Sequence, residues 1–141
     1  MEGRKLVVIE DEELLRSLVE EGLRGVGFSV SSTSDPAAAV TLVLAEAPDL
    51  VILDITSPEG AGALRDLRES SETAFYPILA LTGEEGTPSE GVLDSVRKPF
   101  PVDALVEKVG ALLPHLLPTR LGALFPAEGV GPTLPALSTR S

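Results

Sequence analysis

Short runs of consecutive apolar residues alternate along this chain with stretches whose apolar positions recur every three or four residues. Leu6-Val7-Val8-Ile9, Leu50-Val51-Ile52-Leu53 and Pro77-Ile78-Leu79-Ala80-Leu81 are continuous runs, the pattern of strands buried on both faces of a parallel sheet. Phe28 to Ser32 reads as a second, more polar strand, and Ser95-Val96-Arg97 as a short fifth one. Between the first two strands, Leu14, Leu15, Leu18, Val19 and Leu23 fall at helical spacing with Arg16, Glu20 and Glu21 interleaved, which predicts an amphipathic helix. Gly25 and Gly27 supply its stop.

The remaining helices follow from punctuation. Asp35 is a cap followed by Pro36 at the first helical position, predicting a helix to about Ala47, where Pro48 intervenes. Gly60 to Ser70 reads as a third helix, and Val102 to Leu113 as a last one with Val102, Leu105, Val106, Val109 and Leu113 inward. Strands alternating with helices over short connections imply a parallel sheet with right-handed crossovers and helices on both faces. From Pro114 onward the character changes. Pro114, Pro118, Pro126, Pro132 and Pro135 forbid a continuous helix, and the stretch reads as a tail that is either mobile or docked, on the domain or on a partner, through Leu121, Leu124 and Phe125.

Composition narrows the chemistry. The 141 residues are 43% hydrophobic, which suits one folded domain. A net charge of −11 argues against direct nucleic-acid binding, which needs a basic stripe. With no cysteine and His115 as the single histidine, neither a disulfide framework nor a zinc site of the usual donors can be built. The start of the chain has only four apolar residues before the acids Glu10 to Glu13, too few for a signal peptide or a membrane span. A cytoplasmic protein with no membrane or nucleic-acid partner is the expectation.

Ligands of open parallel sheets bind beyond the carboxyl ends of the strands, so the residues just after each apolar run matter most. Glu10, Asp11, Glu12 and Glu13 follow the first run, Asp54 the third, Thr82 the fourth, and Lys98-Pro99-Phe100 the fifth. Converging carboxylates repel unless a cation neutralises them, and Mg²⁺ suits hard oxygen donors. A carboxylate beside Mg²⁺ and a lysine is a plausible nucleophile for phosphoryl transfer. The bland readings are also available. Acids at Glu10 to Glu13 favour any helix N-terminus, Thr82 suits a turn, Lys98 suits solvent, and Phe100 suits packing.

The ordered set of motifs is more specific than its parts. Val7-Val8-Ile9-Glu10-Asp11-Glu12, Leu53-Asp54 with Pro58 and Gly62, Leu81-Thr82-Gly83 and Lys98-Pro99-Phe100 resemble the receiver domain of two-component response regulators over residues 4–113. That resemblance implies an α/β, flavodoxin-like, doubly wound five-stranded sheet of order 2-1-3-4-5. It divides the chain into a receiver domain, 1–114, and a proline-rich tail, 115–141, with no output domain. It implies that Glu10, Asp11, Asp54 and the main-chain carbonyl of Thr56 hold Mg²⁺. Asp54 would then accept a phosphoryl group from a sensor histidine kinase or phosphotransfer protein, with Thr82 as the switch hydroxyl and Lys98 on the phosphoryl oxygens. The domain would be a signalling phosphoacceptor rather than an enzyme, and a homodimer is compatible with it. A cis peptide before Pro99 is also implied.

The sequence departs from the family in the second half. Residues 83–97 must hold a loop, any fourth helix and the fifth strand, and Gly86, Pro88 and Gly91 break helix there. That fourth helix is therefore expected to be short, shifted or missing. Ser95 stands where the family commonly has an aromatic switch residue, and Ala61 where an aspartate is usual. Two other functions compete. One is a receiver-like interaction module that works without phosphorylation. The other is a haloacid-dehalogenase-like phosphohydrolase, disfavoured because Thr56 occupies the place of its second aspartate.

Overall fold

The computed structural model describes residues 3–83 and 90–116. The expectations placed on Leu121, Leu124 and Phe125, and on residues 84–89 of the fourth-helix region, lie outside the described residues. Five parallel strands, β1 (Lys5–Ile9), β2 (Ser29–Thr33), β3 (Leu50–Asp54), β4 (Ile78–Thr82) and β5 (Asp94–Arg97), form one sheet. Its order is β2-β1-β3-β4-β5, as the resemblance implies. Four α-helices lie among the described residues: α1 (Glu13–Gly25), α2 (Ala39–Glu46), α3 (Pro58–Glu69) and α4 (Val102–Leu112).

Alternation along the strands sorts the core into two layers. Leu6, Val8, Leu50, Ile52, Leu79 and Leu81 point to one face and meet Val19 and Leu23 of α1 and Leu105 and Val109 of α4. Val7, Ile9, Val51, Leu53 and Ile78 point to the other and meet Val43 of α2 and Ala63, Leu64 and Leu67 of α3. Every residue of β3 and β4 is buried, whereas β2 and β5, at the two edges, are only half covered. Continuous apolar runs at β1, β3 and β4 are therefore the cost of having both faces dry.

Three boundaries differ from those the sequence predicts, each for a local reason. Phe28 does not begin the second strand. It closes the end of α1: its N–H donates to the Leu23 carbonyl (3.2 Å) while the Gly27 N–H, at φ +104°, donates to Arg24 (3.0 Å). Phe28 and Leu23 then pack together in the core, so this is a Schellman stop with its apolar clasp. The second helix begins as a single 3-10 turn, Pro36–Ala38, with Asp35 Oδ1 accepting from the Ala37 N–H at 3.0 Å. It ends one residue early because Ala47 turns left-handed at φ 46°, just ahead of Pro48. The third helix starts at Pro58 rather than Gly60, because Ser57 caps it by accepting from the Gly60 N–H at 3.0 Å.

One clamp joins the two ends of the domain. Arg4 donates from Nη2 to the carbonyls of Leu113 (2.6 Å) and Leu116 (3.1 Å), and its Nη1 lies 3.7 Å from Asp49 Oδ1. Asp49 Oδ2 also accepts from the Lys5 N–H at 2.8 Å. The last helical turn is thereby fixed to the amino-terminal edge of the sheet, leaving the carboxyl-terminal edge for the site.

Candidate functional site

The winding direction of the sheet reverses between β1 and β3, because β2 lies to one side of β1 and β3, β4 and β5 to the other. A reversal of this kind opens a crevice at the carboxyl ends of the two strands. Ile9 pairs with Leu53, Asp54 with Leu81, and Thr82 with Arg97. That register brings Glu10, Asp54, Thr82 and Lys98 to one edge.

The side chains converge there. Glu10 and Asp54 are 1% and 5% exposed, and Lys98 reaches both: its Nζ lies 2.9 Å from Glu10 Oε1 and 3.3 Å from Asp54 Oδ2. One carboxylate oxygen each from Glu10, Asp11 and Asp54 lies within 4.8 Å of the others. Asp54 Oδ1 accepts twice from Thr56, from its N–H at 2.8 Å and its hydroxyl at 2.6 Å. Thr82 is buried, and its hydroxyl meets the Val96 carbonyl only at 3.4 Å, near the limit of a hydrogen bond. The Thr82 carbonyl accepts from the Lys98 N–H at 2.8 Å, and the Lys98-Pro99 peptide is cis, as expected.

Electrostatics separate the two buried acids. Burial raises the Glu10 carboxyl and the Asp54 charge adds to the rise, and together they outweigh the Glu12 N–H and the Lys98 ammonium, which lower it. Asp54 feels the same desolvation, but there the two bonds from Thr56, with Lys98, win and hold it below the usual carboxylate range. Lys98 is raised: desolvation is its largest influence and acts downward, but Glu10 and Asp54 together exceed it. Asp54 is thus the firmly ionised acid, with Lys98 beside it as an ammonium.

Glu10, Asp11, Asp54, Thr56, Thr82 and Lys98 all lie at this edge. Asp11 is exposed at its rim, and Thr56 is exposed beside Gly83, whose Cβ position would be 3.8 Å from Thr56 Cγ2. Ser95, on β5, is half-buried. Between β4 and β5 no helix lies among the described residues. Beside the acids, a groove of about 270 Å³ is lined by Glu12, Leu14, Leu15, Leu18, Lys98, Pro99 and Phe100.

Sequence reasoning missed two residues here. A side chain at Gly60 would drive its Cβ into the main-chain carbonyl of Asp54, so glycine alone lets α3 start this close to β3. Gly62, the glycine singled out by motif, faces only the tip of Arg65, at 3.5 Å. Arg16, read only as a polar spacer of α1, donates from Nη1 to the Glu10 carbonyl at 3.0 Å.

A doubly wound α/β domain carrying a carboxylate cluster and a lysine at its switch point is the class this geometry defines. The response regulator receiver domain family model matches residues 6–110, and the chain belongs to that family. Family membership displaces the phosphohydrolase reading. Among solved structures, the fold is similar to chemotaxis response regulator CheY4 of Vibrio cholerae (24% identity, TM-score 0.69, 78% of this chain and 98% of that one). It is similar also to the receiver domain of sensor histidine kinase PA1611 from Pseudomonas aeruginosa PAO1, solved with magnesium in its active-site cleft (24%, 0.69, 79% and 98%). The N-terminal domain of the nisin resistance regulator NsrR is 28% identical, with a TM-score of 0.67 over 79% of this chain and 99% of that domain.

Proposed function

We propose that this receiver domain accepts a phosphoryl group on Asp54, using Mg²⁺ held by Glu10, Asp11, Asp54 and the main-chain carbonyl of Thr56. The observation that carries the reading is the division of labour at Asp54. Its Oδ1 is held by two Thr56 donors while its Oδ2 faces the Lys98 ammonium, so the carboxylate is both oriented and ionised. The donor set suits Mg²⁺ on its own terms. Three carboxylates converge, and Glu10 Oε1 is buried beside Lys98 without an aligned hydrogen bond, leaving an acceptor for a hard cation.

When bound, Mg²⁺ supplies neutralisation of charge on the transferred group. The chain does the rest. An Asp54 oxygen forms the new O–P bond as the bond from phosphorus to the donor's imidazole nitrogen breaks, and the imidazole keeps the electron pair. Lys98 turns from the carboxylates toward a phosphoryl oxygen. The Thr82 hydroxyl, weakly held by Val96, donates to another. The donor is a sensor histidine kinase or phosphotransfer protein, approaching over the groove in which Leu14 and Leu18 are exposed. No helix among the described residues is long and apolar enough to cross a membrane, and a cytoplasmic location goes with the proposal.

The test is intact-protein mass after incubation with acetyl phosphate and Mg²⁺. One added phosphoryl group is expected, absent in Asp54→Asn and in chelated samples. No gain in the wild type, with beryllofluoride also failing to bind, would replace this reading with an interaction module that works without phosphorylation.

A further inference from the structure

Glu10 is held at more points than a simple ligand requires. Its N–H donates to the Thr33 carbonyl of β2 (3.1 Å), and its Oε2 accepts from the Glu12 N–H (3.0 Å) and from Lys98 (3.2 Å). Its carbonyl accepts from Arg16 Nη1 at 3.0 Å. That carbonyl belongs to the peptide unit joining Glu10 to Asp11, so the bond from Arg16 fixes the plane from which the Asp11 side chain departs. Arg16 is itself restrained. Its Nε lies 3.9 Å from Glu20 Oε2, the same oxygen that receives the Ser32 hydroxyl of β2, while Glu20 Oε1 is 3.1 Å from Arg24.

From this we infer that Arg16 is a positioning residue for the cation site: through the Glu10 carbonyl it sets the relative orientation of the Glu10 and Asp11 carboxylates. The inference deepens the proposed function and rests on it. Rigid ligand placement matters most for Mg²⁺, which demands near-ideal octahedral geometry, and groups that orient ligands commonly change metal affinity when removed. Arg16 does not touch the cation. Its guanidinium shares Glu20 with Arg24 and reaches the site only through the Glu10 main-chain carbonyl, so its effect is on geometry, and a lysine, whose three donors sit on one flexible point charge rather than in a rigid fork, reproduces it only in part.

Isothermal titration with Mg²⁺ on the full chain, beside thermal melting in chelator, separates this role from a structural one. Arg16→Met keeps most of the apolar stem. It should weaken Mg²⁺ binding roughly 10-fold, the lower end for an orienting partner, while the chelated protein melts within a few degrees of the wild type. Arg16→Lys should fall between the two. Glu20→Gln, which frees Arg16 without removing its donor, should weaken binding about 2- to 3-fold, below the range for direct removal. Unchanged Mg²⁺ affinity in Arg16→Met overturns the inference and leaves the proposed function standing. A loss that merely follows lowered melting also overturns it. Absence of Mg²⁺ binding in the wild type overturns both.

Discussion

The two flanks of Asp54 are built to different standards. On the β1 side Glu10 is fixed through its N–H, its carbonyl and its carboxylate, by β2, α1 and Lys98. Toward β5, the Thr82 hydroxyl has one marginal partner at 3.4 Å, Ser95 is half-buried, and no described helix covers the connection from β4. A site that must gather like charges needs its carboxylates held before any cation arrives, and hydrogen bonds to backbone do this. A group that acts only once a phosphoryl group is present gains nothing from being tied beforehand. Stiffness on one flank and slack on the other therefore match the two jobs the flanks would do.

Removing the cation that bridges the flanks should have the largest effect. Lys98→Met leaves Glu10 and Asp54 buried and unpaired and should cost roughly 3 kcal/mol in urea unfolding without metal, as for a buried pair broken on one side. Millimolar Mg²⁺ should restore part of it. A loss no larger than that of an exposed lysine would mean the acids are solvated. Gly60→Ala comes next. Its Cβ meets the Asp54 carbonyl, so about 2 kcal/mol should be lost, the range for overpacking. Gly62→Ala, with only the tip of Arg65 at 3.5 Å, should be neutral or slightly stabilising. Equal costs at the two glycines would contradict the close approach of α3 to β3.

The acids should also separate by pH. Glu10 titrates above its unfolded value, so in metal-free protein its contribution falls as pH rises through the window between the two values. Asp54, titrating below its own, adds stability that is lost as pH falls through the folded value. Glu10→Gln should abolish the first limb and keep the second, in urea midpoints followed across acid to neutral pH. Retention of both would place the raised group elsewhere. The smallest effect belongs to the slack flank: Thr82→Val should change metal-free stability by only about 0.5 kcal/mol, since little hydrogen bonding is lost. A drop several times larger would show that the hydroxyl is tied after all.

The positions of β1, β3 and β4 were legible because those strands are buried on both faces, which leaves unbroken runs such as Leu50 to Leu53 and places chemistry immediately after them, whereas the strand order came only with the family resemblance. Glu10, Asp54, Thr82 and Lys98 could be located for the same reason. Hidden features were those that depend on backbone rather than side-chain chemistry. Phe28 is as apolar as a strand residue, and its role in closing α1 lies in an N–H bond to Leu23. Gly60 differs from Gly62 only in which carbonyl lies beneath it. Arg16 looks like any polar helix residue until the chain folds back over Glu10. Ser57 ahead of Pro58 is a readable cap, and it places the start of α3 two residues before Gly60.

The Arg4 clamp carries a consequence for biosynthesis. Two of its acceptors lie 109 and 112 positions downstream, so as the chain leaves the ribosome the first strand can find β2 and β3 long before Arg4 can find Leu113 and Leu116. Closing a loop that long is entropically slow. The amino-terminal edge of the sheet must wait, incompletely sealed, until the last helical turn has emerged. A nascent chain arrested before residue 116 would therefore lack this clamp, although β1, whose far end carries Glu10, can already be paired with β2 and β3.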